Sequence, residues 1–211
     1  MNIEVDWLGV VDYDVALRLQ RERRDQIVND QASDVIWLLE HAPVVTTGRR
    51  TPEDLPSAEV FEARGISMYR TERGGLATYH GPGQLVCYLL FDRRRHRVRL
   101  VDVVRALEEA QISWLAARGV TATRREKHPG VWVGTDKIGS VGLHERRGVT
   151  MHGMALNLCV DLEPFSLFVP CGVRDAGVTS LLRETGLRVL PRDAGSEIAN
   201  RLLWTLLEFQ R

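Results

Sequence analysis

A short glycine-rich segment carries the densest set of chemically special residues in this 211-residue chain. It reads Arg73-Gly-Gly-Leu-Ala-Thr-Tyr-His80-Gly-Pro-Gly-Gln84 and leads into an apolar stretch. Its four glycines let the backbone adopt positive φ and approach a ligand closely, while Arg73 and His80 add polar groups. The pattern predicts a binding loop beside a β-sheet, with a plain Gly/Pro hairpin turn as the alternative.

Three cysteines occur in the chain, and their local sequences predict different roles. Cys87 and Cys159 lie within apolar, strand-like stretches, which indicates buried hydrophobic side chains. Cys171 lies between Pro170 and Gly172, where proline fixes the approach of the chain and glycine permits a sharp turn. A thiol presented in this way can act as a nucleophile, provided that a nearby cation stabilises its thiolate form.

The rarity of lysine points to a partner for that thiol. Of 28 cationic side chains, only Lys127 and Lys137 are lysines, and the others are arginines. A buried lysine amine can give up and regain a proton whereas an arginine cannot, so the two lysines suggest proton chemistry. Lys127 lies in a charged run and Lys137 begins a glycine-bearing strand, which makes Lys137 the better candidate. The alternative is that two lysines are an accident of an arginine-rich composition.

The elements that must position these residues follow from the spacing of apolar side chains. Strands are predicted at 3–8, 34–40, 43–48, 66–69 and 84–91, with an antiparallel series over 131–160. Helices are predicted at 13–28, at 57–63 with Ser57 as N-cap, at 100–118 ending before Gly119, and at 197–209. This order predicts a single α+β domain over residues 1–211, with mixed and antiparallel sheets and flanking helices.

The composition limits the classes of function. With 44% hydrophobic residues, the chain can bury a full core as one domain. Lys plus Arg and Asp plus Glu both number 28, and this balance argues against a general nucleic-acid binder. The acidic N-terminus and the lack of a long apolar run predict no signal peptide, no membrane span and a cytoplasmic location. The sparse cysteines predict neither a disulfide framework nor a metal site.

Four motifs follow one another along the chain: residues 73–84, Lys137-Ile-Gly-Ser-Val-Gly142, His152-Gly-Met-Ala-Leu-Asn157 and Pro170-Cys171-Gly172. Together they resemble the octanoyltransferases of lipoate biosynthesis, the lipoate-protein ligase B family, over most of the chain. The resemblance implies the catalytic fold of the lipoate and biotin protein ligases. Gly139 stands where alanine is common in the family, a small-for-small exchange that leaves the resemblance intact.

The resemblance implies transfer of an octanoyl group from octanoyl-acyl carrier protein to a specific lysine of a protein acceptor. Cys171 would attack the carrier thioester to form an octanoyl-enzyme, and Lys137 would stabilise the thiolate and move the proton to and from it. The thioester keeps the acyl group activated, so the implied reaction is ping-pong, without ATP or another cofactor. The implied pocket residues are Arg73, Gly74, Gly75, Leu76, Ala77, Thr78, Tyr79, His80, Ser140, Val141, Gly142, Gly153, Met154 and Ala155.

The same resemblance implies the partners. The donor is octanoyl-acyl carrier protein, and the acceptors are the lipoyl domains of 2-oxoacid dehydrogenases and the glycine cleavage H protein, with no nucleic acid and no membrane. Because both protein substrates of the family are acidic, the arginine run at 93–99 is a candidate for steering one of them, although such runs are usually solvated loops. His80 either positions the substrate carbonyl or supports Lys137, and His152 is either structural or catalytic.

Two other interpretations remain open from the residues. An ATP-dependent lipoate or biotin protein ligase would form an acyl adenylate, and the nucleophile-like Cys171 and the lack of a predicted second domain count against it. A noncatalytic protein that binds acyl groups or lipoyl domains would have no use for an intact Cys171 and Lys137. Acyl chain-length selectivity, oligomeric state and the preferred acceptor do not follow from the sequence.

Overall fold

The computed structural model describes residues 3–50, 55–126, 128–168 and 176–210. Cys171 and Lys127, both singled out by the sequence, lie outside the described residues. The strands are β1 (Glu4–Val11), β2 (Val35–His41), β3 (Val44–Thr47), β4 (Ser67–Arg70), β5 (Thr78–His80), β6 (Gln84–Leu90), β7 (Gly130–Val133), β8 (Asp136–Arg146) and β9 (Val149–Asn157). The helices are α1 (Tyr13–Val28), α2 (Ala58–Glu62), α3 (Leu100–Ala116), α4 (Leu181–Thr185), α5 (Pro191–Glu208) and a 3-10 helix at Glu163–Leu167.

A six-stranded mixed sheet forms the centre of the molecule, in the order β1-β2-β6-β9-β8-β7. β1 and β2 run parallel, with α1 as the connection between them, and the other neighbours run antiparallel. A smaller sheet has the order β4-β3-β5, in which β3 is parallel to β4 and antiparallel to β5. The predicted α+β class with mixed and antiparallel sheets and flanking helices is therefore confirmed.

The central strands direct alternate side chains into two cores. On β6, Leu85 and Leu89 belong to the core that α3 and α5 share, whereas Val86 and Leu90 belong to the core under α1. Every residue of β6 is buried, which explains its continuous apolar run. Each buried leucine contributes about 1.5 to 3 kcal/mol relative to an exposed one. Helices on both faces thus make β6 and β9 a rigid support for the residues beside them.

Most predicted elements occur where the apolar spacing placed them, and the differences have physical causes. α5 begins at Pro191 rather than near residue 197, because proline is well suited to the first helical turn. Ser57 stands at the N-cap of α2, but its side chain makes no capping hydrogen bond. Gly119 follows α3 with φ of 79°, as a helix-ending glycine should. No helix within the four described ranges is long and apolar enough to cross a membrane.

Candidate active site

One cavity lies where the glycine-rich loop meets β8 and β9. Its volume is about 320 Å³, within the range of about 300 to 1,000 Å³ that small-molecule sites occupy. The antiparallel pairing of β8 with β9 sets Ser140 opposite Ala155 and Gly142 opposite Gly153, which joins two of the sequence motifs. Fourteen of the sixteen predicted site residues line the cavity: Arg73, Gly74, Gly75, Leu76, Ala77, Thr78, His80, Lys137, Ser140, Val141, Gly142, Gly153, Met154 and Ala155.

The other two predicted residues have different positions. Tyr79 lies between Thr78 and His80 on β5, and alternation along a strand turns its side chain to the opposite face. Its ring packs against Phe165, with 5.4 Å between the ring centroids, in the core of the small sheet. The structure thus places Tyr79 in that core rather than on the cavity wall. Cys171 lies outside the described residues, and its role stays a prediction.

Lys137 brings a buried amine to the cavity. The residue is only 6% exposed, and its Nζ donates to the carbonyl oxygen of Pro129 at 3.1 Å. The same Nζ lies 4.8 Å from the centroid of the Trp132 ring. A buried polar group without partners costs free energy, and these two contacts help to stabilise the amine in this position. Nothing in the sequence motifs singled out Pro129 or Trp132.

The chain that follows the Cys171 segment runs beside Lys137. The backbone N–H of Lys137 donates to the carbonyl oxygen of Gly177 at 2.9 Å, and the N–H of Thr179 donates to the carbonyl of Lys137 at 3.0 Å. Asp136 Oδ1 also accepts the N–H of Gly177, at 3.2 Å. Six positions separate Cys171 from Gly177, so the predicted nucleophile is close along the chain to residues that are bonded to the predicted lysine.

Arg73 fixes the start of the glycine-rich loop to the small sheet. Its Nη2 donates to the backbone oxygen and to Oγ1 of Thr46, at 2.7 and 2.9 Å, and its Nη1 donates to the carbonyl of Gly74 at 3.0 Å. Gly142 makes room for this arrangement, because an added Cβ there would lie 3.3 Å from Arg73 Cδ and from Gly74 O. Arg73 therefore shapes the cavity wall through hydrogen bonds to the backbone.

A chain of side-chain hydrogen bonds holds His80. The Nδ1 of His80 lies 2.6 Å from Oε1 of Gln84. Gln84 Nε2 donates to the carbonyl of Tyr79 at 3.1 Å and to Oδ1 of Asn157 at 2.9 Å. Asn157 Nδ2 in turn donates to the carbonyl of Thr179 at 3.0 Å. This chain connects the glycine-rich loop with the segment that runs beside Lys137.

Three buried histidines, His41, His80 and His152, form a cluster, and His80 and His152 line the cavity. His41 Nδ1 donates to the carbonyl of Val11 at 2.7 Å, and its Nε2 accepts the hydroxyl proton of Tyr88 at 2.6 Å. Burial lowers the pKa of His41 to about 4, and it lowers the pKa values of His80 and His152 to about 3. At neutral pH all three rings are uncharged, so they act as hydrogen-bonding groups rather than as cations.

His152 has an unusual backbone conformation for a strand residue. Its φ is 60°, a left-handed value that costs a non-glycine residue about 1 to 2 kcal/mol. Its N–H donates to Oε1 of Gln20 on α1 at 2.8 Å, and the residue is buried. This hydrogen bond supports the structural alternative for His152, while strain of this kind is also common at functional sites.

The sequence motifs did not identify the apolar wall of the cavity, to which α3 and β6 contribute. Leu100 and Val104, one helical turn apart on α3, line the cavity together with Val86 of β6. Val141 and Met154 continue the same apolar lining from β8 and β9. A hydrocarbon chain gains about 0.8 kcal/mol for each methylene that it buries against such a surface. The helical period of α3 was visible in the sequence, but its proximity to the glycine-rich loop was not.

The arginine run at 93–99 is largely paired within the chain. Arg93 Nε lies 2.6 Å from Oε2 of Glu145, and Arg95 Nη2 lies 2.7 Å from Oδ1 of Asp30. Arg99 Nε likewise forms a 2.6 Å ion pair with Asp102 at the start of α3. These carboxylates compensate much of the charge on which the predicted steering role depends.

Comparison with known proteins identifies the relatives of this chain. The family model described as the lipoyl protein ligase A/B catalytic domain matches residues 12–202. The octanoyltransferase of Chloroflexus aggregans is 42% identical over 210 residues, which cover 97% of this chain and 93% of the relative. The octanoyltransferase of Alkaliphilus metalliredigens is 41% identical over 184 residues, which cover 86% and 84%.

Solved structures of ligases share the fold. The crystal structure of lipoate-protein ligase A bound with ATP matches with a TM-score of 0.71 at 18% identity, over 99% of this chain and 85% of that one. The putative lipoate protein ligase of T. acidophilum with bound lipoic acid matches with a TM-score of 0.69 at 18% identity, over 99% and 86%. These structural similarities show the fold, and the relatives at about 40% identity show to which group within the family the chain belongs. The chain belongs to the lipoyl protein ligase A/B catalytic domain family and, within it, to the octanoyltransferases, which makes it an acyltransferase.

Proposed function

We propose that this chain moves an octanoyl group from octanoyl-acyl carrier protein to a specific lysine of lipoyl domains, the first step of endogenous lipoate synthesis. The proposed acceptors are the lipoyl domains of 2-oxoacid dehydrogenases and the glycine cleavage H protein. The proposal treats residues 1–211 as one octanoyltransferase catalytic domain that works in the cytoplasm. Its relatives named octanoyltransferase, at about 40% identity over most of their length, support this assignment.

The observation that carries the proposal is the buried amine of Lys137 on the wall of a largely apolar cavity. The cavity offers a hydrocarbon chain contact with Val86, Val104 and Met154, and the amine lies on the same cavity. The backbone of Lys137 is bonded to Gly177 and Thr179, which follow Cys171 by only a few residues. These features support a site in which an acyl chain, a thiol and a proton carrier meet.

The first half-reaction transfers the acyl group to the enzyme. Lys137 Nζ takes the proton of the Cys171 thiol, and the resulting thiolate attacks the carbonyl carbon of the carrier thioester. A new C–S bond forms to Cys171 while the C–S bond to the carrier breaks. The leaving thiolate of the carrier then receives the proton from the Lys137 ammonium. The acyl group remains a thioester, so no ATP is needed to keep it activated.

The second half-reaction transfers the acyl group to the acceptor. The acceptor lysine, as a neutral amine, attacks the thioester carbon, a C–N bond forms, and the bond to Cys171 breaks. Lys137 Nζ takes the proton that the attacking nitrogen loses and can return it to the Cys171 thiolate. The two steps share the octanoyl-enzyme as intermediate, and the carrier leaves before the acceptor reacts, which defines a ping-pong mechanism.

The apolar wall supports a medium-length acyl chain as the group transferred. At about 0.8 kcal/mol for each buried methylene, an eight-carbon chain gains roughly 5 kcal/mol from burial. A donor shortened by two carbons would therefore lose about 1.6 kcal/mol, or roughly tenfold in binding, if the cavity held all of the chain. The depth of the cavity would then set the preferred chain length.

A second candidate function is ATP-dependent ligation through an acyl adenylate. The specific observation in its favour is the fold shared with lipoate-protein ligase A, which was solved with bound ATP. Ligation would need nucleotide in every turnover and would not need Cys171. The two functions therefore make opposite predictions for a reaction mixture that lacks ATP.

The deciding experiment is intact-protein mass spectrometry after incubation with octanoyl-acyl carrier protein in the absence of ATP. We expect the wild type to gain one octanoyl group that hydroxylamine removes, and to pass it to an apo lipoyl domain added afterwards. Cys171→Ser should form no hydroxylamine-labile adduct, whereas Cys159→Ser, the matched control at a half-buried cysteine, should behave like the wild type. Absence of the adduct and of transfer until ATP is supplied would overturn the proposal and favour the ligase.

A further inference from the structure

An irregularity in the pairing of β7 with β8 brings Lys137 opposite Trp132. The register shifts by one residue between Val131 and Trp132, which leaves Ile138 as an extra residue on β8. In a regular ladder Trp132 would face Ile138 instead. Bulges of this kind re-aim side chains and are frequent next to active sites. The extra residue Ile138 therefore places the buried amine of Lys137 beside the indole ring of Trp132.

The Trp132 ring is a binding surface for cations. Lys137 Nζ lies 4.8 Å from the ring centroid, and the guanidinium carbon of Arg125 lies 4.2 Å from it. Trp132 is 1% exposed, so the contact with Lys137 is shielded from water. The electron-rich face of an aromatic ring attracts a cation, most strongly for tryptophan and more strongly when water is excluded. Trp132 therefore favours the charged form of the lysine.

The indole N–H of Trp132 makes a second contribution to the same amine. It donates to the carbonyl of His128 at 3.2 Å, and the next residue, Pro129, supplies the carbonyl that accepts from Lys137 Nζ. On the other side, the N–H of Gly130 donates to Oε1 of Glu108 at 2.9 Å. Hydrogen bonds thus hold both sides of the turn that carries the Pro129 carbonyl. Trp132 supplies the one to His128, and Glu108 accepts the one from Gly130.

We propose that Trp132 is a positioning residue for Lys137, with its ring stabilising the ammonium group and its N–H holding the turn that supplies the Pro129 carbonyl. The effect of Trp132 on acyl transfer rests on the proposed function, in which the ammonium of Lys137 stabilises the thiolate of Cys171. The effect of Trp132 on the charge and position of the Lys137 amine does not depend on the proposed function.

The chain offers a graded series of variants and a matched control. Trp132→Phe keeps an aromatic ring with a weaker attraction for cations and loses the indole N–H, and Trp132→Leu removes the ring as well. Trp114 is also fully buried and carries a cation over its ring, since Arg118 lies 3.5 Å from the centroid. Trp114→Leu therefore controls for the loss of a buried indole away from Lys137, and melting curves identify any variant that fails to fold.

The direct measurement is the rate at which limiting acetic anhydride labels Lys137, followed by peptide mass spectrometry from neutral to alkaline pH. With only two lysines in the chain, Lys127 provides an internal reference. We expect the midpoint of Lys137 labelling to fall by about one pH unit in Trp132→Leu and by less in Trp132→Phe. An unchanged midpoint in both Trp132 variants, or an equal shift in Trp114→Leu, would overturn the proposal.

Rates of octanoyl transfer separate this inference from the proposed function. We expect kcat of Trp132→Leu to fall about tenfold, with KM for the donor changed less than about threefold, because the defect lies in the amine and not in acyl binding. A shifted labelling midpoint with an unchanged kcat would uphold the positioning role and refute the catalytic role of Lys137. An unchanged midpoint together with an inactive Lys137→Ala variant would refute the positioning role and leave the catalytic one.

Discussion

The side-chain oxygen of Gln84 accepts the Nδ1 proton of His80, and two backbone carbonyls fix that direction. Gln84 Nε2 faces the carbonyl of Tyr79, and Asn157 Nδ2 faces the carbonyl of Thr179. A carbonyl can only accept, so both amide groups have their nitrogen on that side. The atom of Gln84 that remains for His80, at 2.6 Å, is the oxygen Oε1. The proton of the neutral imidazole is therefore on Nδ1.

We expect nitrogen NMR of the imidazole groups at neutral pH to show His80 as the Nδ1–H tautomer. Burial lowers the pKa of His80 to about 3, so its Nε2 carries no proton under these conditions and can only accept. This argues against His80 as a donor to the substrate carbonyl and leaves support of the network beside Lys137. Gln84→Leu, which removes the acceptor, should release the ring to a mixture of tautomers. A proton on Nε2 in the wild type would refute the assignment.

The buried histidines should make the fold sensitive to mild acid. Burial holds the pKa values of His41, His80 and His152 at about 4, 3 and 3 in the folded state, below the ordinary value of about 6.5. Between these values the unfolded chain binds protons that the folded chain does not, so stability falls as pH falls. We expect the free energy of unfolding to drop by about 3 to 4 kcal/mol between about pH 7 and about pH 5.5.

Urea unfolding curves at a series of pH values provide the measurement. His41→Gln should remove about a third of the pH dependence, because one of the three titrating groups is gone. His128→Gln is the control at an exposed histidine outside the cluster and should leave the curve as in the wild type. A free energy of unfolding that stays constant across this pH range would show that the histidines bind protons as readily in the folded state as in the unfolded chain, and would contradict the prediction.

Features set by local spacing were predictable from the sequence. The continuous apolar run of β6 and the helical period of α3 follow from the burial of their apolar side chains. The glycine-rich loop stood out because few other segments combine so many glycines with an arginine and a histidine. Lys137 stood out because lysine is so rare in this chain.

Features set by contacts between distant segments were not predictable. The predicted helix between β1 and β2 permits their parallel pairing, but no local pattern shows that the two strands are neighbours in one sheet. Tyr79 was assigned to the pocket because it lies inside the motif, but β5 pairs with β3 and turns its ring into the other core. The extra residue Ile138, which sets Lys137 opposite Trp132, is likewise a property of the paired strands.

Replacing Lys137 by arginine separates its charge from its proton chemistry. The reaction of Cys171 with iodoacetamide near neutral pH reports its thiolate, because the thiolate is the reactive form. We expect Lys137→Ala to slow this alkylation by about tenfold, since an adjacent cation lowers the pKa of a thiol. Lys137→Arg should keep most of the alkylation rate yet lose octanoyl transfer by about 100-fold or more, because a guanidinium does not give up its proton.

Cys87 gives this experiment an internal reference. Burial raises the pKa of its thiol to about 12, so Cys87 should stay unmodified in every folded variant and react only after unfolding. Equal alkylation of Cys171 in the wild type and in Lys137→Ala would show that the lysine does not act on the thiol. Full octanoyl transfer by Lys137→Arg would show that a fixed positive charge is sufficient.

Gly153 and Gly74 both line the cavity, yet alanine should affect them differently. An added Cβ on Gly153 would overlap the carbonyl oxygen of Cys87 on the neighbouring strand, so β6 and β9 would have to separate. On Gly74 the nearest atom would be the carbonyl oxygen of Leu143, at an ordinary distance of 3.8 Å. We expect Gly153→Ala to cost about 2 to 3 kcal/mol and to lower Tm by about 5 to 10 °C, whereas Gly74→Ala should stay within about 0.5 kcal/mol of the wild type.

Because Gly74→Ala adds a methyl group beside the cavity without disturbing the sheet, any fall in its octanoyl transfer rate at unchanged Tm would report on the cavity alone. Equal melting temperatures for the two variants would mean that Gly153 is not required by the close approach of β6 to β9.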